Sequence, residues 1–430
     1  MIKTLYGSPR LRGTLQMPSD KSISHRSAMF AALAEGESMI DNYSRAADPQ
    51  STLNCLRGLG VPVSQEGSRV VIRSEGRQAF QVPESDLDCG NSGTTMRLLS
   101  GILAGAGIRS RLIGDQSLSS RTMKRIIEPL TSMGAVIRAR ESEYAPLEIE
   151  PGNGISGIRY PLPIASAQLK SAVLLAGLYS EQPVEVIETA QSRDHTERLL
   201  DLPVVQNEEG KVIVSSLAHN VPLQCYTVPG DFSAAAFWLV AGAVHPDAEL
   251  RLERVGLNPS RIAALNILLE MGADIEIVSS AEEEGPEPMA TVIVRSSELS
   301  AIRLDPKLVP NCIDELPVLM VAMCFAKGRS EITDAEELRH KETDRLSAMA
   351  AVLENAGESF EETAGGIVIQ GKGVHKPLSG SFQSEHDHRI AMSSAVLALM
   401  GREKSTVADS ECTAISYPGF WDDLDKVSRQ

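Results

Sequence analysis

An α/β (α+β) chain folded as two domains, each assembled from small repeated units, is predicted by three features: its length, a recurring helix-ending glycine, and the short alternating strand after each of those glycines. At 430 residues, with 42% hydrophobic and 23% charged residues, the chain exceeds the size at which single cores stop growing, so two domains are expected.

The repeat is read from four segments in which apolar residues at helical spacing stop at Gly. They are Leu53 to Ser64, Ile127 to Arg138, Leu265 to Glu276 and Met349 to Phe360. Their glycines, Gly60, Gly134, Gly272 and Gly357, stand 74, 138 and 85 residues apart. The double step hides a degenerate copy, expected at Thr196 to Val214, where the helical run gives way through Pro203 instead of Gly. Each Gly is expected as the left-handed residue that ends a helix, and strands follow, as at Val292 to Val294 and Ile367 to Ile369. A unit of about 70 residues cannot bury its helices and sheet alone, so several must pack together. Six units in two groups of three fit the length, the sixth completed by pairing the N-terminal strand Ile2 to Leu5 with the C-terminal end. Pro18-Ser19-Asp20 and Val228-Pro229-Gly230-Asp231 are the candidate boundaries, and the polar run Ser279 to Pro288 reads as a solvated loop.

Composition narrows the class. The longest apolar stretches, Ser171 to Leu178 and Ala235 to Val244, fall short of the roughly 18 residues that span a bilayer, and Met1 to Arg10 lacks the apolar core of a signal peptide. A soluble cytoplasmic protein without a membrane partner is expected, acting as a monomer. Six scattered cysteines suggest reduced, buried thiols and neither a disulfide framework nor a zinc ribbon. With 57 acids against 41 bases the net charge is −16, and only 4% of residues are aromatic, which argues against a nucleic-acid partner. An anionic ligand must meet a locally basic cleft.

Such clusters exist. Pro18 to Arg26 (PSDKSISHR) sets two cations, three hydroxyls and a histidine at the entrance to a helical pattern, where Ser19 or Asp20 can cap and Lys21 and Arg26 can converge on an anion. Asp88 to Arg97 (DCGNSGTTMR) brings glycines and hydroxyls to another helix start, although an ordinary loop-to-helix transition fits equally well. Gly114 to Arg121, Glu337 to Arg345 and His386 to Arg389 add cations and carboxylates. If the middle one is helical, Lys341 and Arg345 share a face with Glu342 one position round; a solvated ion-pair stripe is the alternative. Asp314 and Glu315 precede an apolar helix running to Phe325, where a carboxylate caps or serves as base, and Ser166-Ala167-Gln168 opens another. Ser192 to Glu197 (SRDHTE) reads as a charged turn. Several cationic clusters at loop-to-helix junctions in an acidic chain suggest a small substrate with several negative charges.

Taken together, PSDKSISHR, GNSGTTMR, SLSSR, SAQLKSA, SRDHTE, PGDFSAAAF, DELPVL, KETDR and DHRIAMS resemble, in order and spacing, the enolpyruvyl transferase family and within it the shikimate-pathway branch. The resemblance runs from Ser8 to Phe420. It implies two domains, 19–228 and 1–18 plus 229–430, each of three βαβαββ units around a pseudo-threefold axis, with the active site in the cleft between them. It implies transfer of the enolpyruvyl group of phosphoenolpyruvate to the 5-hydroxyl of shikimate 3-phosphate, for aromatic amino acid biosynthesis, without cofactor or metal.

Carried over by motif, Lys21, Ser22, Arg26, Ser166, Gln168, Arg193, Asp314 and Lys341 are the implied shikimate 3-phosphate contacts. Lys21, Gly93, Arg121, Gln168, Arg345 and Arg389 are those to phosphoenolpyruvate. Asp314 is the implied base on the 5-hydroxyl, and Glu342, assisted by Lys21 or His388, the group that protonates and later deprotonates the methylene carbon. Ala167 stands where many relatives have a second Ser, and Ile415 where some have a Lys; Lys404 is the nearest upstream lysine. Gly93 is kept where glyphosate-insensitive relatives often carry Ala, so inhibition by glyphosate is expected. The cell-wall branch, acting on UDP-N-acetylglucosamine, fits less well, because Asp115 to Arg121 (DQSLSSR) lacks its loop Cys.

Overall fold

The computed structural model describes residues 1–279 and 285–428. Residues 280–284, the middle of the polar run from Ser279 to Pro288, therefore lie outside the described residues. Two compact units emerge: Met1–Pro18, Pro229–Glu284 and Pro288–Gln430 form one, and Ser19–Val228 with Gly285–Glu287 the other. Gly285–Glu287 thus depart from the stretch 229–430 in which they were expected. Glu287 is also no solvated loop residue, since it is 2% exposed and its Oε1 lies 2.7 Å from His195 Nδ1.

In the Ser19–Val228 unit the strands form three four-stranded sheets with one plan. Tyr226–Thr227, Glu35–Asp41, Arg69–Glu75 and Val63–Glu66 lie side by side, the first pair parallel and the next two antiparallel. The same order of pairings recurs in Leu87–Asp88, Ser110–Ile113, Tyr144–Glu150 and Val136–Arg140, and again in Arg159–Pro161, Val184–Glu188, Gly210–Ser215 and Val204–Asn207. Three helices fill the interior: α1 (Lys21–Leu33), α3 (Gly93–Ala106) and Ala167–Gly177, while α2 (Ala47–Gly58) follows α1 in the first repeat. Small and apolar residues on all sides of the three explain why they bury nearly all round. Gly101 of α3 lets backbones meet, because a Cβ there would lie 2.2 Å from the Ala172 carbonyl oxygen.

The unit holding both termini repeats the plan. Leu11–Gln16 pairs in parallel with Ala248–Gly256, which continues antiparallel to Met289–Arg295 and Asp274–Val278. Lys327–Ile332, Gly366–Lys372 and Ser359–Thr363 form the second sheet, with single parallel bridges at Ser300 and Arg303 where a fourth strand would stand. The third is Ser381–Phe382, Ser405–Ala408 and the N-terminal strand Ile2–Leu5, so the chain's two ends close the sixth repeat, with Ile2 opposite Ala408. Its interior helices are Phe232–Val244, Leu316–Cys324 and His388–Leu399.

Local chemistry sets the helix ends of the repeat. Gly60, Gly134, Gly272 and Gly357 follow their helices with φ of 82°, 105°, 97° and 71°. In the degenerate copy Asp201, at φ 52°, takes that place after His195–Leu200, a conformation Asp tolerates better than most residues. No described helix is long and apolar enough to cross a membrane.

Candidate active site

Six of the nine motifs open the six interior helices, three in each unit. Asp20, Ser92 and Ser166 cap α1, α3 and Ala167–Gly177, their side chains accepting from the N–H groups of Ile23, Thr95 and Leu169. Asp231 and Asp387 cap Phe232–Val244 and His388–Leu399, and Glu315 precedes Leu316–Cys324. A helix N-terminus presents free N–H groups and positive dipole, so each unit gathers three anion-favouring ends.

In the Ser19–Val228 unit, Lys21 Nζ sits 2.5 Å from Asp48 Oδ2. Arg26 is only 3% exposed; its Nε donates to Thr196 Oγ1 (2.9 Å), its Nη2 to Ser171 Oγ (3.0 Å) and its Nη1 to the Ser22 carbonyl (3.1 Å). One guanidinium thereby ties PSDKSISHR to SAQLKSA and SRDHTE. Burial, and after it Arg193, push its pKa down to about 10, which leaves it charged at neutral pH. The SRDHTE segment is not the expected charged turn: its last three residues form the buried first turn of His195–Leu200. Beneath it Lys170, fully buried, donates to Glu188 Oε1 (3.0 Å) and Glu197 Oε1 (2.8 Å).

Gly93 begins α3 beside Arg97, whose Nη1 donates to Gln168 Oε1 at 2.6 Å while Gln168 Nε2 donates to Thr94 Oγ1 at 3.0 Å. Burial, then Arg125 and Arg121, lower the Arg97 pKa to about 9. Arg121 Nη2 reaches Asn91 Oδ1 (2.8 Å) and Ser117 Oγ (3.0 Å). Lys21, Gly93, Arg121 and Gln168 are thus backed by Asp48, Asn91, Thr94 and Arg97; of these only Thr94, with Thr95, is expected from the sequence to donate to an anion, and here its hydroxyl accepts from Gln168. For Asn91 and Arg97 the signal was present, since both stand inside GNSGTTMR; Asp48 had none.

In the unit holding both termini, Arg345 gathers the carboxylates. At 1% side-chain exposure its Nε donates to Asp387 Oδ2 (2.7 Å), its Nη2 to Glu342 Oε2 (2.6 Å) and its Nη1 to Asp314 Oδ1 (3.3 Å). Burial works against its charge, but Asp387, Glu342 and Asp314 more than compensate and raise its pKa. Burial alone would raise the Glu342 carboxyl; Arg345, a backbone N–H and Arg389 reverse this and hold it below the usual carboxylate value. Arg389 donates through Nη1 to the Asp314 carbonyl (3.0 Å), and His388, 6% exposed, begins the same helix.

Lys341 and Arg345 do not share a helix face. Asp344 caps Arg345–Asn355 by accepting from Ser347 N (3.1 Å), so Lys341 and Glu342 lie before the helix, after the 3₁₀ turn Glu336–His340. Lys341 Nζ turns back to Glu337 Oε1 at 2.7 Å. Ile415 is 52% exposed. The six cysteines are free, but Cys225 is exposed, contrary to the expectation of buried thiols; it neighbours the edge-forming strand Tyr226–Thr227.

A profile of the EPSP synthase (3-phosphoshikimate 1-carboxyvinyltransferase) family matches residues 5–424. The chain belongs to this family. It is 50% identical over 431 residues to the 3-phosphoshikimate 1-carboxyvinyltransferase of Salinibacter ruber, each chain fully covered. It is 45% identical to that of a Synechococcus strain, over 99% of this chain and 98% of the relative. Among solved structures, an EPSP synthase from Acinetobacter baumannii superposes with a TM-score of 0.92 at 38% identity, covering 99% and 98% of the two chains. The enolpyruvyl transferase NikO from Streptomyces tendae shares the fold, with a TM-score of 0.76 at 14% identity. The two-unit, six-repeat architecture is therefore that of EPSP synthases and enolpyruvyl transferases.

Proposed function

We propose that this chain is a 3-phosphoshikimate 1-carboxyvinyltransferase: it transfers the enolpyruvyl group of phosphoenolpyruvate to the 5-hydroxyl of shikimate 3-phosphate, releasing phosphate, for aromatic amino acid biosynthesis. The family match across residues 5–424 supports the reaction. The observation that carries the mechanism is the Arg345 guanidinium, which binds both Asp314 and Glu342.

In this reading Lys21, Ser22, Arg26, Ser166, Gln168, Arg193, Asp314 and Lys341 bind shikimate 3-phosphate. Lys21, Gly93, Arg121, Gln168, Arg345 and Arg389 bind phosphoenolpyruvate, whose phosphate and carboxylate suit guanidinium forks. Asp314 takes the proton of the 5-hydroxyl as it attacks the enol carbon, while the methylene carbon is protonated, giving a tetrahedral ketal phosphate. Loss of a proton from that methyl group and of phosphate completes the exchange. For the first proton transfer Glu342 passes to the carbon a proton supplied by Lys21 or His388, and for the second, the removal, Glu342 takes one back, held as a carboxylate by Arg345. Fixed cations around the departing phosphate stabilise its charge in the transition state.

The test is phosphate release from phosphoenolpyruvate with and without shikimate 3-phosphate, repeated with Asp314→Ala. Release that needs shikimate 3-phosphate and is largely lost in the variant is expected. No release with any acceptor, UDP-N-acetylglucosamine included, would leave a non-catalytic member of the family.

A further inference from the structure

Within the Ser19–Val228 unit, a line of buried hydrogen bonds runs from α1 through α2 to the cap of α3. His25 Nδ1 lies 2.7 Å from Thr52 Oγ1, Thr52 Oγ1 lies 2.8 Å from Thr95 Oγ1, and Thr95 Oγ1 donates to Ser92 Oγ at 2.8 Å. His25, Thr52 and Thr95 are 0% exposed and Ser92 is 1% exposed. Ser92 Oγ is also the cap acceptor for Thr95 N–H at 3.0 Å.

Each hydroxyl has one hydrogen to give, and because Thr95 Oγ1 is 2.8 Å from Ser92 Oγ but 3.4 Å from His25 Nδ1, its hydrogen goes to Ser92 and the direction of the chain is fixed. Thr95 gives its hydrogen to Ser92, so the short contact between the threonines must use the hydrogen of Thr52. Thr52 then accepts from His25, which must carry its proton on Nδ1. His25 Nε2 is left as the bare nitrogen, and it has no hydrogen-bond partner among the described residues. Burial, with Lys21 and Arg26 adding to it, holds the imidazole well below its usual pKa and so neutral, with a single N–H. Helix α2 makes a second tie to the same place, since Asp48 holds Lys21.

We propose that His25 and Thr52 are positioning residues: the Nδ1–H imidazole and the Thr52 hydroxyl orient the chain that fixes the Ser92 cap, and so set Gly93 and Thr94 in register with Lys21. Nothing in the assumed chemistry touches either residue. The consequence for phosphoenolpyruvate rests on the function proposed above; the wiring itself does not.

The experiment has two arms on the full chain. Two-bond ¹H–¹⁵N correlation on ¹⁵N-histidine protein, with His25 assigned by the peaks missing in His25→Asn, should find a neutral Nδ1–H tautomer at neutral pH; an Nε2–H tautomer or an imidazolium overturns the wiring. In the second arm, His25→Leu and Thr52→Val should raise KM for phosphoenolpyruvate about tenfold with KM for shikimate 3-phosphate moved less than about twofold, the scale of one buried hydrogen bond. His25→Asn, which keeps an N–H near the Nδ1 position, should recover most of the loss. Equal rises in both KM values, Asn no better than Leu, or a lowered melting temperature with both KM values unchanged would each reduce His25 to a packing residue. If the unmodified chain proves inactive on these substrates, the functional reading fails while the tautomer still decides the wiring.

Discussion

Arg345 Nη1 lies 3.3 Å from Asp314 Oδ1, and the two side chains are 1% and 20% exposed. Binding Asp314 is only one of three tasks for that guanidinium, which also holds Asp387, itself fully buried, and Glu342. A lysine cannot serve three carboxylates in those directions. Arg345→Lys should therefore lower kcat/KM by about 10²-fold or more, and Arg345→Met should also cost about 3–5 kcal/mol of stability by leaving Asp387 buried without its partner. Steady-state kinetics and urea unfolding check both; a Lys variant with unchanged kinetics would remove Arg345 from the proposed site.

The Lys170 cluster makes a similar prediction in the other unit. Lys170 binds Glu188 and Glu197, and Glu188 accepts from Ser192 N at 2.9 Å, next to Arg193. Lys170→Met should cost about 3–5 kcal/mol, because two buried carboxylates lose a cation and Lys211, 3.0 Å from Glu197, compensates only in part. In urea, Lys170→Met/Glu188→Gln should be more stable than Lys170→Met alone. A shifted Ser192-Arg193 segment should also raise KM for shikimate 3-phosphate in the single variant.

How much of this was legible depended on range. Caps at Asp20, Ser92 and Ser166 are decided within three residues, and the glycine-ended repeat within one turn, so both could be read along the chain. Odd repeat arithmetic even pointed to pairing of Ile2–Leu5 with the C-terminal end, where the partner proves to be Ser405–Ala408. The 341–345 segment failed because its conformation is set from a distance: Arg339 reaches Asp344, Glu362 and the Thr363 carbonyl, pinning the residue that caps the helix. Thr52 and Asp48 carry no motif and acquire their roles only when α2 packs beside α1 and α3. Glu287 was misread because a ten-residue run of Ser, Glu, Gly, Pro and a single Ala looks solvated, whereas Glu287 is buried against His195.

A pH-dependent contribution is expected from His375 and Glu358, whose Nε2 and Oε1 are 2.6 Å apart with Lys372 Nζ 3.0 Å from Glu358 Oε2. The hydrogen bond to Glu358 raises the His375 pKa above 6.5. Burial would raise the Glu358 carboxyl, but His375 and Lys372 together hold it below 4.5. A raised histidine stabilises fully below pH 6.5 and loses this as pH rises through its folded value; a depressed carboxyl stabilises above pH 4.5 and loses this as pH falls. The pair is therefore worth most between those values, at about 1 kcal/mol given its partial exposure. His375→Leu should cost more in urea midpoint at about pH 6 than at about pH 9. A gap that stays constant or widens toward alkaline pH contradicts the assignment.

Glyphosate tests the start of α3. A Cβ on Gly93 would lie 2.7 Å from Arg97 Nη1 and 3.8 Å from Leu118 Cδ1, so Gly93→Ala must displace the end of the Arg97 side chain. That guanidinium holds Gln168, which in turn holds Thr94, so the displacement reaches Gln168, a proposed contact to both substrates, and the hydroxyl that supports it. A flexible side-chain end can yield where backbone could not, and the variant should fold and turn over. With Gly93 in place, glyphosate should inhibit in competition with phosphoenolpyruvate at saturating shikimate 3-phosphate. In Gly93→Ala both KM for phosphoenolpyruvate and Ki for glyphosate should rise by about tenfold or more, the second further than the first if the inhibitor fills more of the space beside Gly93. Indifference of the unmodified chain to millimolar glyphosate would mean that the proposed phosphoenolpyruvate contacts around Gly93 do not admit it.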